Sequence, residues 1–237
     1  MAMKFITPET DRRMTCLVIG RAGIGKTSLL RTVPPDENVF VISAESGLLC
    51  VQDLVRAKRV VGIEVEGIED LDEALWNLKT PKYRAAFRWV FVDSLTEISE
   101  RFLIASRKKY PDRRDSFNMW DDYERHFMAW VRQMRDLQGY DVVLTCLEVM
   151  DLDAAQHRIV NPNVQLKRLR NGDNITGMFD EVFYMTDVQD ETDPAPRRVL
   201  ITVPFNNRPG KDRGGTLAPV EPPDLAHIKR KILGGES

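Results

Sequence analysis

Apolar residues fall along this chain in two rhythms. Six short, nearly unbroken runs occupy residues 15–20, 39–44, 60–66, 89–93, 141–147 and 181–186. Strands exposed on one face alternate apolar with polar residues, whereas strands covered on both faces are apolar throughout. These runs therefore predict buried parallel strands. A seventh run, 198–203, predicts a late strand, antiparallel at the sheet edge. Between them lie three- and four-residue periodicities. The strongest spans 117–137, where Trp120, Tyr123, Phe127, Trp130, Met134 and Leu137 share one helical face. Core packing accounts for that stripe. Further helices are predicted over 26–33, over 70–78, and from 95 to about 109, the last stopped by Pro111.

Strand and helix alternate as in an α/β fold with a mostly parallel twisted sheet flanked by helices. Two stretches do not fit the alternation. Residues 151–180 are too long for an ordinary connection between core strands. Residues 187–198, "DVQDETDPAPRR", have the charge and proline content of an exposed turn. The tail predicts a helix over 223–233, ended by Gly234 and Gly235. With no internal repeat and no linker composition, the whole of 1–237 is expected to form one domain.

Composition narrows this picture only slightly. The 237 residues are 43% hydrophobic, enough for a real core, and carry a formal net charge of -2. Any contact with nucleic acid must then be a local patch. Three cysteines without metal-ligand spacing suggest reduced thiols, Cys16 and Cys146 being placed as small core residues. No apolar segment reaches membrane-spanning length, and the N-terminus lacks the apolar middle of a signal peptide. These features predict a soluble cytoplasmic protein without a membrane partner.

The chemistry begins at "GRAGIGKTSLL". Gly20, Gly25, Lys26 and Thr27 have the G-x4-G-K-T spacing of a phosphate-binding loop, set between a predicted strand and a predicted helix. Residues Gly20, Arg21, Ala22, Gly23, Ile24, Gly25, Lys26, Thr27 and Ser28 would wrap the phosphates of ATP with backbone N–H groups. Lys26 would reach the β- and γ-phosphates, and the Thr27 hydroxyl would ligate Mg²⁺. The strand "RWVFVD" ends in Asp93, a carboxylate suited to hold the metal's water shell. Glu45, at the end of the strand after the loop, is the candidate to activate water. Neighbouring carboxyl ends of a doubly wound sheet converge on one crevice. An exposed cap is the other reading of Glu45.

Loop, then a strand ending in Glu, then a strand ending in Asp-Ser: this order resembles the RecA class of ATPase cores. In the AAA+ class the catalytic glutamate directly follows the metal-site aspartate, a place taken here by Ser94. Length and layout resemble the short RecA-core ATPases of bacteriophages that assist single-strand annealing and recombination. The resemblance implies a RecA-like P-loop NTPase core with late antiparallel edge strands and a host-cytoplasmic location. It also implies that Lys211 and Arg213 of "GKDRGG" reach the γ-phosphate of a neighbouring copy in a homo-oligomeric ring or filament. A solvated turn is the alternative for that stretch. Thr145 or Glu148 occupies the place of a γ-phosphate sensor.

The resemblance further places a DNA-contacting loop at 151–180, where Arg158, Lys167, Arg168 and Arg170 could neutralise phosphates of single-stranded DNA. Its basic part has no aromatic residue for base stacking, and a solvated hairpin or subunit contact stays open. The expected function is a DNA-associated recombination ATPase, with an annealing or single-strand-binding protein as a candidate partner. A P-loop kinase with 151–180 as its lid, or a nucleotide-switched assembly factor, are the competing readings.

Overall fold

The computed structural model describes residues 13–45, 47–152, 155–164, 173–189 and 195–234. Ten strands are found among them: β1 (Thr15–Gly20), β2 (Val39–Ser43), β3 (Val60–Glu64), β4 (Trp89–Asp93), β5 (Asp141–Leu152), β6 (Arg158–Pro162), β7 (Glu181–Val188), β8 (Arg197–Ile201), β9 (Lys211–Asp212) and β10 (Val220–Glu221). The helices are α1 (Gln52–Arg56), α2 (Ile68–Leu78), α3 (Pro81–Ala86), α4 (Leu95–Lys109), α5 (Ser116–Arg135), α6 (Asp173–Gly177) and α7 (Leu225–Leu233).

All ten strands join one sheet, in the order β10-β8-β7-β1-β5-β4-β2-β3, with β6 added to β5 and β9 added to β7. Every pairing from β7 through β1, β5, β4 and β2 to β3 is parallel. The additions of β6, β8, β9 and β10 are antiparallel. This is the mostly parallel α/β P-loop core expected from the sequence, with its antiparallel edge strands.

The unbroken apolar runs follow from burial on both faces. Leu17 and Ile19 of β1 point into a layer containing α2, α4 and α5. Cys16 and Val18, one residue out of phase, point to the opposite layer with Leu29, Leu30 and α7. The α5 stripe packs into the first layer, where Tyr123 stacks on Phe127 with ring centroids 5.8 Å apart. The C-terminal helix α7 is capped by the Asp224 carboxylate, which accepts from His227 N–H at 2.9 Å, and ends at Gly234 with φ +68°.

Three features differ from expectation. The segment after the phosphate loop is a short 3₁₀ turn, Thr27–Thr32, and not a helix over 26–33. Pro34 forces Val33 into the extended region, with ψ 139°, and so cuts the turn short. Strand β5 runs on to Leu152 because its last five residues pair with β6, forming a hairpin beyond the parallel sheet. The 151–180 segment therefore opens as part of that hairpin. Helices α1 and α3, of five and six residues, are too short to set up a periodicity and have no counterpart in the sequence pattern. Among the described residues no helix is long and apolar enough to cross a membrane.

Candidate nucleotide site

The register brings the carboxyl ends of four parallel strands to one crevice. Gly20 ends β1 opposite Leu147 of β5, and Ser43 of β2 lies opposite Asp93 of β4. Gly20 is required by packing: a Cβ there would stand 2.6 Å from the Met185 carbonyl oxygen of β7. From Gly20 the chain turns through Gly23 and Gly25, with φ of +74° and +107°, values that ordinary side chains resist. Lys26 then folds back across the loop, its Nζ donating to the carbonyls of Gly20 at 2.8 Å and Arg21 at 2.9 Å. Ile24 is buried beneath the loop, while Arg21 and Ala22 face solvent and Ser28 is half-buried. Burial lowers the pKa of the Lys26 ammonium, and the nearby charges of Asp93 and Glu45 oppose that shift.

Asp93 is 2% exposed and held from both sides. Thr27 Oγ1 donates to its Oδ2 at 2.7 Å, and Thr145 Oγ1 donates to its Oδ1 at 2.6 Å. Half-buried Glu45 accepts from Ser94 Oγ at 2.5 Å through its Oε1. Together these groups border a cleft of about 530 Å³, whose walls include Gly25, Lys26, Thr27, Glu45, Asp93 and Glu97. A buried ammonium, three carboxylates and a glycine-rich turn of backbone N–H groups thus meet at one end of the sheet. That combination suits a polyanion accompanied by a cation.

Of the residues expected at this site, Gly20, Arg21, Ala22, Gly23, Ile24, Gly25, Lys26, Thr27, Ser28, Glu45 and Asp93 all lie on the loop or around the cleft. Thr145 is fully buried and spends its hydroxyl on Asp93. Glu148 sits beside Tyr184, whose phenol is raised above its ordinary pKa by burial first and by Glu148 second. Sequence reasoning missed that Ser94, notable there only for standing where another class has glutamate, fastens Glu45. No periodicity signals that bond, because 49 residues separate its partners.

Lys211 and Arg213 lie elsewhere. Strand β9 pairs with the first residues of β7, Asp212 standing opposite Glu181, itself opposite Cys16. That level is four residues short of Gly20, about 13 Å along a strand. Lys211 Nζ donates to the Phe179 carbonyl at 2.6 Å, and Arg213 is ion-paired with Asp180. Neither reaches the cleft of its own chain. Arg158 is exposed on β6. Lys167, Arg168 and Arg170 lie outside the described residues.

No curated protein matches the chain. Among solved structures, a KaiC-like protein from the hyperthermophilic archaeon Pyrococcus horikoshii OT3 is similar, with a TM-score of 0.39 and 13% identity, over 79% of this chain and 77% of that chain. A family model described as an AAA domain matches residues 12–214. The phosphate-binding loop of residues 20–27 lies inside the match. The chain belongs to the AAA-domain family of P-loop ATPases.

Proposed function

We propose that the chain hydrolyses ATP with Mg²⁺ at this cleft, in an assembly whose neighbouring copy completes the site, and that turnover governs contact with single-stranded DNA. The carrying observation is the Ser94–Glu45 hydrogen bond, which holds a carboxylate beside Lys26 and Asp93. In this reading Lys26 neutralises the β- and γ-phosphates, and Glu45 accepts the proton of the attacking water. Thr27 and Asp93 fit Mg²⁺, since a hydroxyl and a buried carboxylate already face each other there. Bound Mg²⁺ supplies neutralisation of charge on the transferring phosphoryl group.

Lys211 and Arg213 act, on this proposal, in the neighbouring copy's site. Their distance from their own cleft supports a role in trans over one in cis. The DNA reading draws its support from the basic residues Arg158, Lys167, Arg168 and Arg170 in a segment that opens as a projecting hairpin. An annealing or single-strand-binding protein is the expected partner.

Phosphate release measured with and without single-stranded DNA, at several salt concentrations, tests the whole. Lys26→Ala and Glu45→Gln should each abolish turnover, and DNA should stimulate the parent. Turnover per chain should rise with protein concentration as copies assemble. Normal turnover by Lys26→Ala defeats the site. Salt-insensitive turnover without DNA binding defeats the DNA role and leaves a nucleotide-switched assembly factor.

A further inference from the structure

The β7–β8 hairpin touches the phosphate loop at two points. Arg21 of the loop pairs with Asp187 of β7 at 2.8 Å. Directly across the hairpin from Asp187 stands Arg198 of β8. Its guanidinium lies along Gly25: a Cβ on that glycine would be 2.8 Å from Arg198 Nη1 and 3.2 Å from Cζ. Glycine leaves the backbone bare there, and bare backbone is how such loops admit phosphate oxygens. Arg198 therefore occupies the space opened by the missing side chain. The Lys26 ammonium is held at the base of the same loop by the carbonyls of Gly20 and Arg21.

We propose that Arg198 is a second cation of the nucleotide site, supplied by the same chain, that contacts the polyphosphate of the bound nucleotide. A guanidinium is always charged and offers a planar fork that matches two phosphate oxygens. Asp187 is engaged by Arg21, so one ion pair anchors the hairpin to the loop while Arg198 of the hairpin faces the loop's glycine. This cation differs in kind from Lys211 and Arg213, because it needs no neighbour: it acts in the isolated chain. The inference rests on residues 20–27 holding the triphosphate.

The test is equilibrium binding of fluorescent ATP and ADP analogues to the parent, Arg198→Ala, Arg198→Lys and Lys26→Ala, at low protein concentration and several salt concentrations. Melting of each nucleotide-free protein is followed alongside. Loss of one charge-assisted hydrogen bond weakens binding by about tenfold or more. Arg198→Ala should show that loss, with a shallower salt dependence and an unchanged melting temperature, and Arg198→Lys should fall between it and the parent. If Arg198→Ala is unstable, Arg198→Lys decides: affinity below the parent's supports the proposal, and parent-like affinity overturns it. Unchanged binding by Arg198→Ala, while Lys26→Ala fails to bind, removes Arg198 and keeps the site. Tighter binding by Arg198→Ala also overturns the proposal, since the guanidinium would then plug an empty loop. Parent-like affinity in Lys26→Ala takes down the site and this inference together.

Discussion

Replacing Glu181 with glutamine should change how the stability of this protein depends on pH. Glu181 opens β7, is 3% exposed, and stands directly opposite Asp212 of β9. Burial pushes its pKa from 4.5 up to about 8, aided by the Asp212 charge, by their shared hydrogen bond and by Asp180, against a bond from the Gly214 N–H. The folded state therefore binds a proton that the unfolded chain gives up above pH 4.5. Stability from this group is fully present below that pH, declines as pH rises towards about 8, and is flat beyond. Between pH 5 and 9 the loss is on the order of 4 kcal/mol, at about 1.4 kcal/mol per pKa unit. Glu181→Gln keeps the shape and a hydrogen-bond donor for Asp212 but does not titrate. Urea unfolding of parent and variant at half-unit intervals across that range measures the difference. The variant should be close to the parent at pH 5 and clearly more stable at pH 9. Two curves that run parallel would show that Glu181 is not the titrating group.

Other perturbations have equally definite outcomes. Asp93→Ala leaves the buried Thr145 hydroxyl without its carboxylate and should cost about 1–3 kcal/mol in urea unfolding, while abolishing phosphate release. Phe127→Ala removes a fully buried ring stacked on Tyr123 and should cost about 3–5 kcal/mol by the same measure, with nucleotide affinity retained. Asp224→Ala removes the N-cap of α7 and should cost about 1 kcal/mol, lowering the melting temperature by a few degrees.

The boundaries of β1 and β4 are legible because each is an apolar run ended by a residue that cannot continue it inward, Gly20 or Asp93. The α5 stripe is legible for the same kind of reason, since Tyr123, Phe127, Trp130 and Met134 recur with the helical period and all enter the core. The 3₁₀ turn after the loop reads as a helix along the chain because apolar Leu29 and Leu30 suit either. Pro34, by holding Val33 extended, fixes only where that segment ends. The continuation of β5 is invisible for a different cause. Residues Glu148–Leu152 carry no buried face of their own and become strand only by pairing with β6.

What local order dictates here is a glycine-rich turn behind a buried strand, the burial of whole strands on both faces, and the helical stripes that cover them. These depend on neighbours in the chain, where spacing and side-chain type suffice. The shape of the site depends on contacts between distant segments. Thr145 reaches Asp93 from 52 residues away, and Arg21 meets Asp187 from 166. Arg198 comes to Gly25 only because β8 folds back on β7 beside β1. No pattern along the chain encodes such meetings, because they are set by the order of strands in the sheet and by the level at which each strand ends.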